Sequence, residues 1–359
     1  MGADEGQLQI EAGNAPTPKI NVKCRGSRLM KLIKKLNDAQ RAAVKRIGFG
    51  GVLELKFSNY PLSHVHLFLD AFKDESYVFR ASKLKEFMVT KHDIYDCFLI
   101  PLGPNPLKLV PTGRQKASQE EEFKGLKDRW RKAYNVLKAA DPIPLGKVLT
   151  DLEADKNGGD QFCRLFVLFS MSSFLCPTSN NGVDLKLLKA VEDVNAIARY
   201  DWCSYVLQGI VNAAVDAQRS PAFLLGCIPF LMITYFQRFY FRGEVSPHDL
   251  PLIKHWDEKR LTTRILFEVA RRGLGRQTWS EVKYPRCIHA PSNALKKGDK
   301  MLTITGCGEP QLFMSSTPNS KSVNKVIQIE LPPGVEDDEE LKARAVDVSL
   351  LLLFVYSSY

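Results

Sequence analysis

Apolar and polar positions alternate with two different periods along this chain, and the change of period divides it. Leu29, Leu32, Ile33 and Leu36 recur at helical spacing among lysines and arginines, so residues 28–44 read as one basic amphipathic helix. Pro61 at a first turn, followed by Val65, Leu67, Phe68, Leu69 and Phe72, reads as a short helix. Tyr77-Val78-Phe79 and Phe87-Met88-Val89, separated by polar residues, read as a hairpin. Thr90 with Asp93 three residues later forms a capping box, with Asp in place of the usual Glu, and starts a helix that turns Ile94 and Phe98 inward.

Prolines 101, 104, 106 and 111 with Gly113 then interrupt the pattern, and this is the best internal boundary of the first half. A charged helix over 120–132 is expected to turn Phe123, Leu126, Trp130 and Leu137 to its inner side. After a polar break at 151–160, apolar helical segments cover 162–175, 185–194, 202–215 and 222–236. The expected fold class is mainly α, a helical bundle with a small N-terminal α+β unit of helix, hairpin and helix. Trp202, Leu207, Leu225 and Phe230 are expected in its core, with Asp201 capping the helix that Trp202 begins. The expected organisation is a disordered N-terminus over 1–18, a basic helix over 19–46, and a domain over 47–279. That domain divides into an α+β unit at 47–110 and a helical part at 120–279, and a poorly ordered tail occupies 280–359, with a short strand signal at 301–305.

Charge changes this picture in one place. The chain of 359 residues carries a formal charge of +10. The window 16–46 alone holds ten basic residues against Asp38. Within it Arg28, Lys31, Lys34, Lys35, Arg41, Lys45 and Arg46 are the candidate nucleic-acid contacts, since clustered cations release counterions from a phosphate backbone whatever its sequence. The same cluster suits nuclear import, and a solvated helix face is the plainer reading. A continuous basic face joining this helix to Lys127, Arg129 and Arg131 would favour polyanion binding.

Chemistry is otherwise sparse. Eight scattered cysteines include no Cys-x-x-Cys pair, and most lie in apolar runs, so buried reduced thiols inside the cell are expected. The first thirteen residues carry three acids and no apolar core of signal-peptide length. The uncharged run 221–237 is interrupted by Pro229 and reads as a core helix rather than a membrane span, and the apolar run 348–359 is too short to be a membrane anchor. Neither a metal, a cofactor nor a small-molecule substrate is indicated, and no catalytic residue is assigned.

Four blocks recur in an order that carries a resemblance: Arg46 to Leu53 with Ile47-Gly48-Phe49-Gly50, Phe174 to Ser179 with Leu175-Cys176-Pro177-Thr178-Ser179, Tyr200 to Leu207, and Gly226 to Leu231. Together they resemble the plant mobile domain, also labelled aminotransferase-like, of transposon-related and maintenance-of-meristems proteins. The likeness runs from about Arg46 to about Trp279. Asp201 and Cys203 depart from the third block, and Ile100-Pro101-Leu102-Gly103-Pro104 replaces the family's usual leucine-glycine-leucine-proline turn. The resemblance implies a non-enzymatic nuclear or chromatin-associated interaction module, linked to meristem maintenance or transposon silencing, with nucleic acid or chromatin proteins as partners. The aminotransferase label finds no Schiff-base lysine in a suitable loop. An alternative is a truncated or inactive relative of a transposon-linked ubiquitin-like-specific cysteine protease, for which His255 and Cys307 stand in the places of histidine and cysteine boxes.

Overall fold

A computed structural model describes residues 21–278 except 25, 73–75, 108, 110–115, 220–222, 244–245 and 272, together with 301–304, 311–315 and 326–330. The region read as a disordered N-terminus lies outside the described residues, as do Cys307 and residues 348–359.

The chain opens with β1 (Asn21–Val22), α1 (Ser27–Lys35) and α2 (Asp38–Arg46). A 3-10 turn at Gly50–Glu54 follows, then α3 (Val65–Ala71) behind its own 3-10 turn, the hairpin β2 (Val78–Ser82) and β3 (Lys85–Met88), and α4 (Lys91–Phe98). Thr90 and Asp93 form the expected box, with Asp93 Oδ2 accepting from the Thr90 backbone N–H at 2.7 Å. Phe79 and Phe87 face each other across the hairpin with ring centroids 5.0 Å apart.

Next come α5 (Lys116–Ala133), α6 (Leu145–Ala154) and α7 (Asp160–Ser170), which continues into a π-helical turn at Met171–Leu175. After them stand α8 (Leu188–Glu192), α9 (Trp202–Arg219), β4 (Phe223–Leu224), α10 (Ile228–Arg238) and α11 (Glu258–Ala270). Residues 301–304, 311–315 and 326–330 form a three-stranded antiparallel meander, β5 to β7, within the stretch read as a tail.

The fold is mainly α, and one apolar core runs from Val22 to Ile265. That core joins the two units expected at 47–110 and 120–279, because α4 packs on both α9 and α10 and α3 packs on α10. The proline-rich boundary is stitched down as well. Gly103 N–H donates to the Tyr200 carbonyl at 3.1 Å and Asp201 N–H to the Asn105 carbonyl at 2.7 Å. Pro101 to Pro106 thus lie in a segment bonded to the start of α9.

Four local expectations are corrected. Residues 28–44 form two helices, because Leu36 is extended and Asn37 begins a capping box with Gln40, whose backbone N–H donates to Asn37 Oδ1 at 2.9 Å. These helices are also part of the domain, since Leu29, Leu32 and Val44 are fully buried in the common core. The helix expected over 222–236 starts only at Ile228. Residues 223–224 pair in parallel with β1, Leu225 is half-buried, Gly226 takes a positive φ of 79°, and Pro229 stands in the first turn, where its missing N–H costs nothing. Finally, Leu137 is exposed, because the chain leaves α5 through Asn135 at φ 53° before reaching it.

Candidate nucleic-acid interface

On α1 the apolar stripe of Leu29, Leu32 and Ile33 is buried, as is Leu36 just after it, and helical geometry therefore sends Arg28, Lys31, Lys34 and Lys35 to the opposite face, where all four are exposed. That stripe packs α1 against α6 and the π-helical turn after α7. The cations are held outward by a helix that cannot rotate without uncovering its leucines.

The seven candidate residues then separate by what their charges meet. Arg41 folds back on α1, donating through Nη2 to the Ile33 carbonyl at 2.6 Å and through Nε to the Leu36 carbonyl at 3.3 Å. It satisfies carbonyls at the helix C-terminus and favours the negative end of the dipole. Lys35 pairs with Glu153 at 2.8 Å, and Arg46 lies 3.8 Å from Asp160 and donates to Cys163 Sγ at 3.6 Å. Arg28, Lys31, Lys34 and Lys45 are exposed and have no ion-pair partner among the described residues. Lys45 borders a shallow groove of about 500 Å³ with Gly48, Gly50, Tyr95 and Pro101.

The three α5 cations that a continuous basic face would need are engaged locally. Arg129 lies 3.8 Å from Glu192, Arg131 3.3 Å from Asp128, and the Lys127 ammonium 4.1 Å from the centre of the Phe123 ring. Across the contact with α8, Lys189 bridges Glu122 at 2.5 Å and Glu192 at 3.0 Å, which holds the Glu122 carboxyl below its ordinary range. Of the seven candidates, those without an ion-pair partner among the described residues are therefore Arg28, Lys31 and Lys34 on the outer face of α1, and Lys45 at the end of α2.

Gly51 in the first apolar block packs so closely on α4 that a Cβ there would lie 2.1 Å from the Phe98 carbonyl oxygen, and Gly48 adopts φ 83° against Pro101. These glycines are explained by packing and turn geometry. A family model described as "Domain of unknown function (DUF8566)" matches residues 22–232, from β1 into α10. The chain belongs to that family. No curated protein and no solved structure matches the chain. The family's matched span includes the whole of α1 and all four apolar blocks up to Leu231, whereas α11 lies beyond it.

The described cysteines are free thiols, buried except for the half-buried Cys176. Burial and the nearby Asp184 push the Cys176 thiol up to about 12, the opposite of what a nucleophile needs. His255 is held 2.9 Å from Asp249 Oδ1 in its own loop. Trp202 is fully buried and donates its indole N–H to the Ile197 carbonyl at 2.8 Å, and Asp201 accepts from Ser204 N–H at 2.8 Å as the cap of α9. Among the described residues no group of three or more His, Cys, Asp or Glu could hold a metal ion, and no helix is long and apolar enough to cross a membrane.

Sequence reasoning missed the most heavily charged part of the interior. Arg264 and Glu268 are each 1% exposed and pair at 3.0 Å, with the Tyr235 hydroxyl donating to Glu268 Oε2 at 2.9 Å. An arginine and a glutamate four residues apart look like an ordinary surface pair on a charged helix, so the spacing carries no sign of their burial.

Proposed function

We propose that this chain is a non-enzymatic, plant-mobile-domain-like module of transposon ancestry that acts in the nucleus by touching nucleic acid or chromatin through the outer face of α1. The observation that carries the reading is the buried leucine stripe of α1, which presents Arg28, Lys31 and Lys34 to solvent without an ion-pair partner among the described residues. Point cations of this kind neutralise phosphates without reading bases, so the affinity is weak, indifferent to sequence and sensitive to salt. The upward shift of the Cys176 thiol and the packing role of the glycine block support a binding module over an enzyme. The setting implied by the resemblance is meristem maintenance or transposon silencing.

The test is anisotropy with a labelled duplex of arbitrary sequence between about 50 and 200 mM salt, where three neutralised phosphates give a log–log slope of about −3. Replacing Arg28, Lys31 and Lys34 together by Glu should abolish binding and leave helix content unchanged, because none of the three is buried. Lys35 is left alone, since Glu there would face Glu153 and confound binding with stability. Equal binding by the triple variant removes α1 from the interface.

A further inference from the structure

The outer face of α1 carries Arg28, Lys31 and Lys34 at three-residue steps, so the three cations follow one another along about 9 Å of helix at roughly 1.5 Å per residue. All three are exposed, and none has an ion-pair partner among the described residues. The longest acidic run of the same chain is Glu336-Asp337-Asp338-Glu339-Glu340, which lies outside the described residues. The next longest, Glu120 to Glu122, is already engaged: Glu121 lies 3.8 Å from Lys124 and Glu122 meets Lys189.

The two charged rows match in sign and in length. Blocks of like charge repel themselves and act as interaction segments. In an extended chain the first, third and fifth of five successive acids span roughly 13 Å, a row that three long basic side chains on about 9 Å of helix can meet one for one. Chain length permits the approach. Residues 279–300, at about 3.3 Å each when extended, reach ~70 Å, more than the ~45 Å width of a domain of this size, and the acidic run begins soon after β7.

We infer that Glu336–Glu340 docks on Arg28, Lys31 and Lys34 of the same chain and there competes with nucleic acid. The competition rests on the reading of α1 as a nucleic-acid contact, whereas the intrachain contact stands without it. A tethered partner acts at an effective concentration on the order of millimolar, and non-specific duplex contacts have dissociation constants of about 10⁻⁴–10⁻⁶ M. An intrinsic dissociation constant about tenfold below that effective concentration leaves α1 free roughly one-tenth of the time, which weakens duplex binding about tenfold without abolishing it.

Carbodiimide coupling joins an amine to a carboxylate in direct contact, and mass spectrometry of the full chain reads the pairs formed. Lys31 or Lys34 joined to a residue of 336–340, at low salt and not at high salt, is expected, with the Lys189–Glu122 pair as the internal control. A mixture of isotope-labelled and unlabelled protein should show that the link lies within one chain. In duplex anisotropy, the chain carrying Glu336→Gln, Asp337→Asn, Asp338→Asn, Glu339→Gln and Glu340→Gln should bind about tenfold tighter than the parent. Absence of the cross-link while the control forms, cross-links only between chains, or equal duplex affinity of parent and variant would overturn the inference. Cross-links within the chain, with no duplex binding by either protein, would sink the nucleic-acid reading of α1 and leave the intrachain contact in place.

Discussion

At the scale of single residues, Arg264 and Glu268 show burial outweighing attraction. Burial is the largest influence on each, raising the Glu268 carboxyl and lowering the Arg264 guanidinium, and their mutual pairing opposes both shifts. A carboxyl raised in the folded state holds its proton more tightly there than in the unfolded chain. Its ionisation therefore lowers stability as pH rises through the raised value, and acidification through the same window restores it. Replacing the pair together, Arg264→Met with Glu268→Leu, should be neutral or stabilise the fold by about 1–4 kcal/mol and remove this part of the pH dependence. Urea unfolding at several pH values checks it; a double variant that unfolds at clearly lower denaturant would show that the ion pair is a net source of stability.

At the scale of elements, glycines separate into those the packing requires and those it tolerates. Gly51 lies against the end of α4, where the nearest obstacle to a Cβ is backbone and cannot rotate away. Gly51→Ala should therefore cost roughly 1–3 kcal/mol or more through displaced backbone. Gly146 in α6 has nothing within 4 Å of a Cβ, and Gly146→Ala should stabilise by about 0.5–1 kcal/mol because alanine has less freedom to lose. Thermal melts of the two variants should move in opposite directions, and a harmless Gly51→Ala would contradict the close approach. The same scale explains α1 and α2: Leu36 and Asn37 break the helix, and the Gln40 side chain then ties the second piece to the carbonyls of Leu152 and Asp155.

At the scale of the whole molecule, one core joins the hairpin unit to the helices, with Phe68 in edge contact with Phe236 at 5.8 Å and Phe98 beside Phe174 at 6.1 Å. Large aromatic rings shared in this way couple the two parts energetically. Tryptophan fluorescence and far-UV circular dichroism should accordingly report one coincident unfolding transition over both parts. Two separated transitions would restore the division at the proline-rich connection.

The sequence by itself determined the helical class, the Thr90 box, the hairpin and the burial of Trp202, because these follow from periodicity and from residues within one turn of each other. It also placed the cations of α1 opposite their leucines. The parallel pairing of Asn21–Val22 with Phe223–Leu224 joins segments about two hundred residues apart, and nothing local announces it. The same is true of which cations remain unpaired: Lys35 and Arg46 meet carboxylates from α6 and α7, whereas Lys31 and Lys34 meet none among the described residues. The Arg264–Glu268 pair shares its spacing with surface pairs, and only its contacts with Tyr235 and Phe236 of α10 and with Phe239 and Phe241 after it make it interior. Local spacing sets which face of an element is apolar; which neighbour covers that face, and which charges are met there, depends on the long-range packing of the chain.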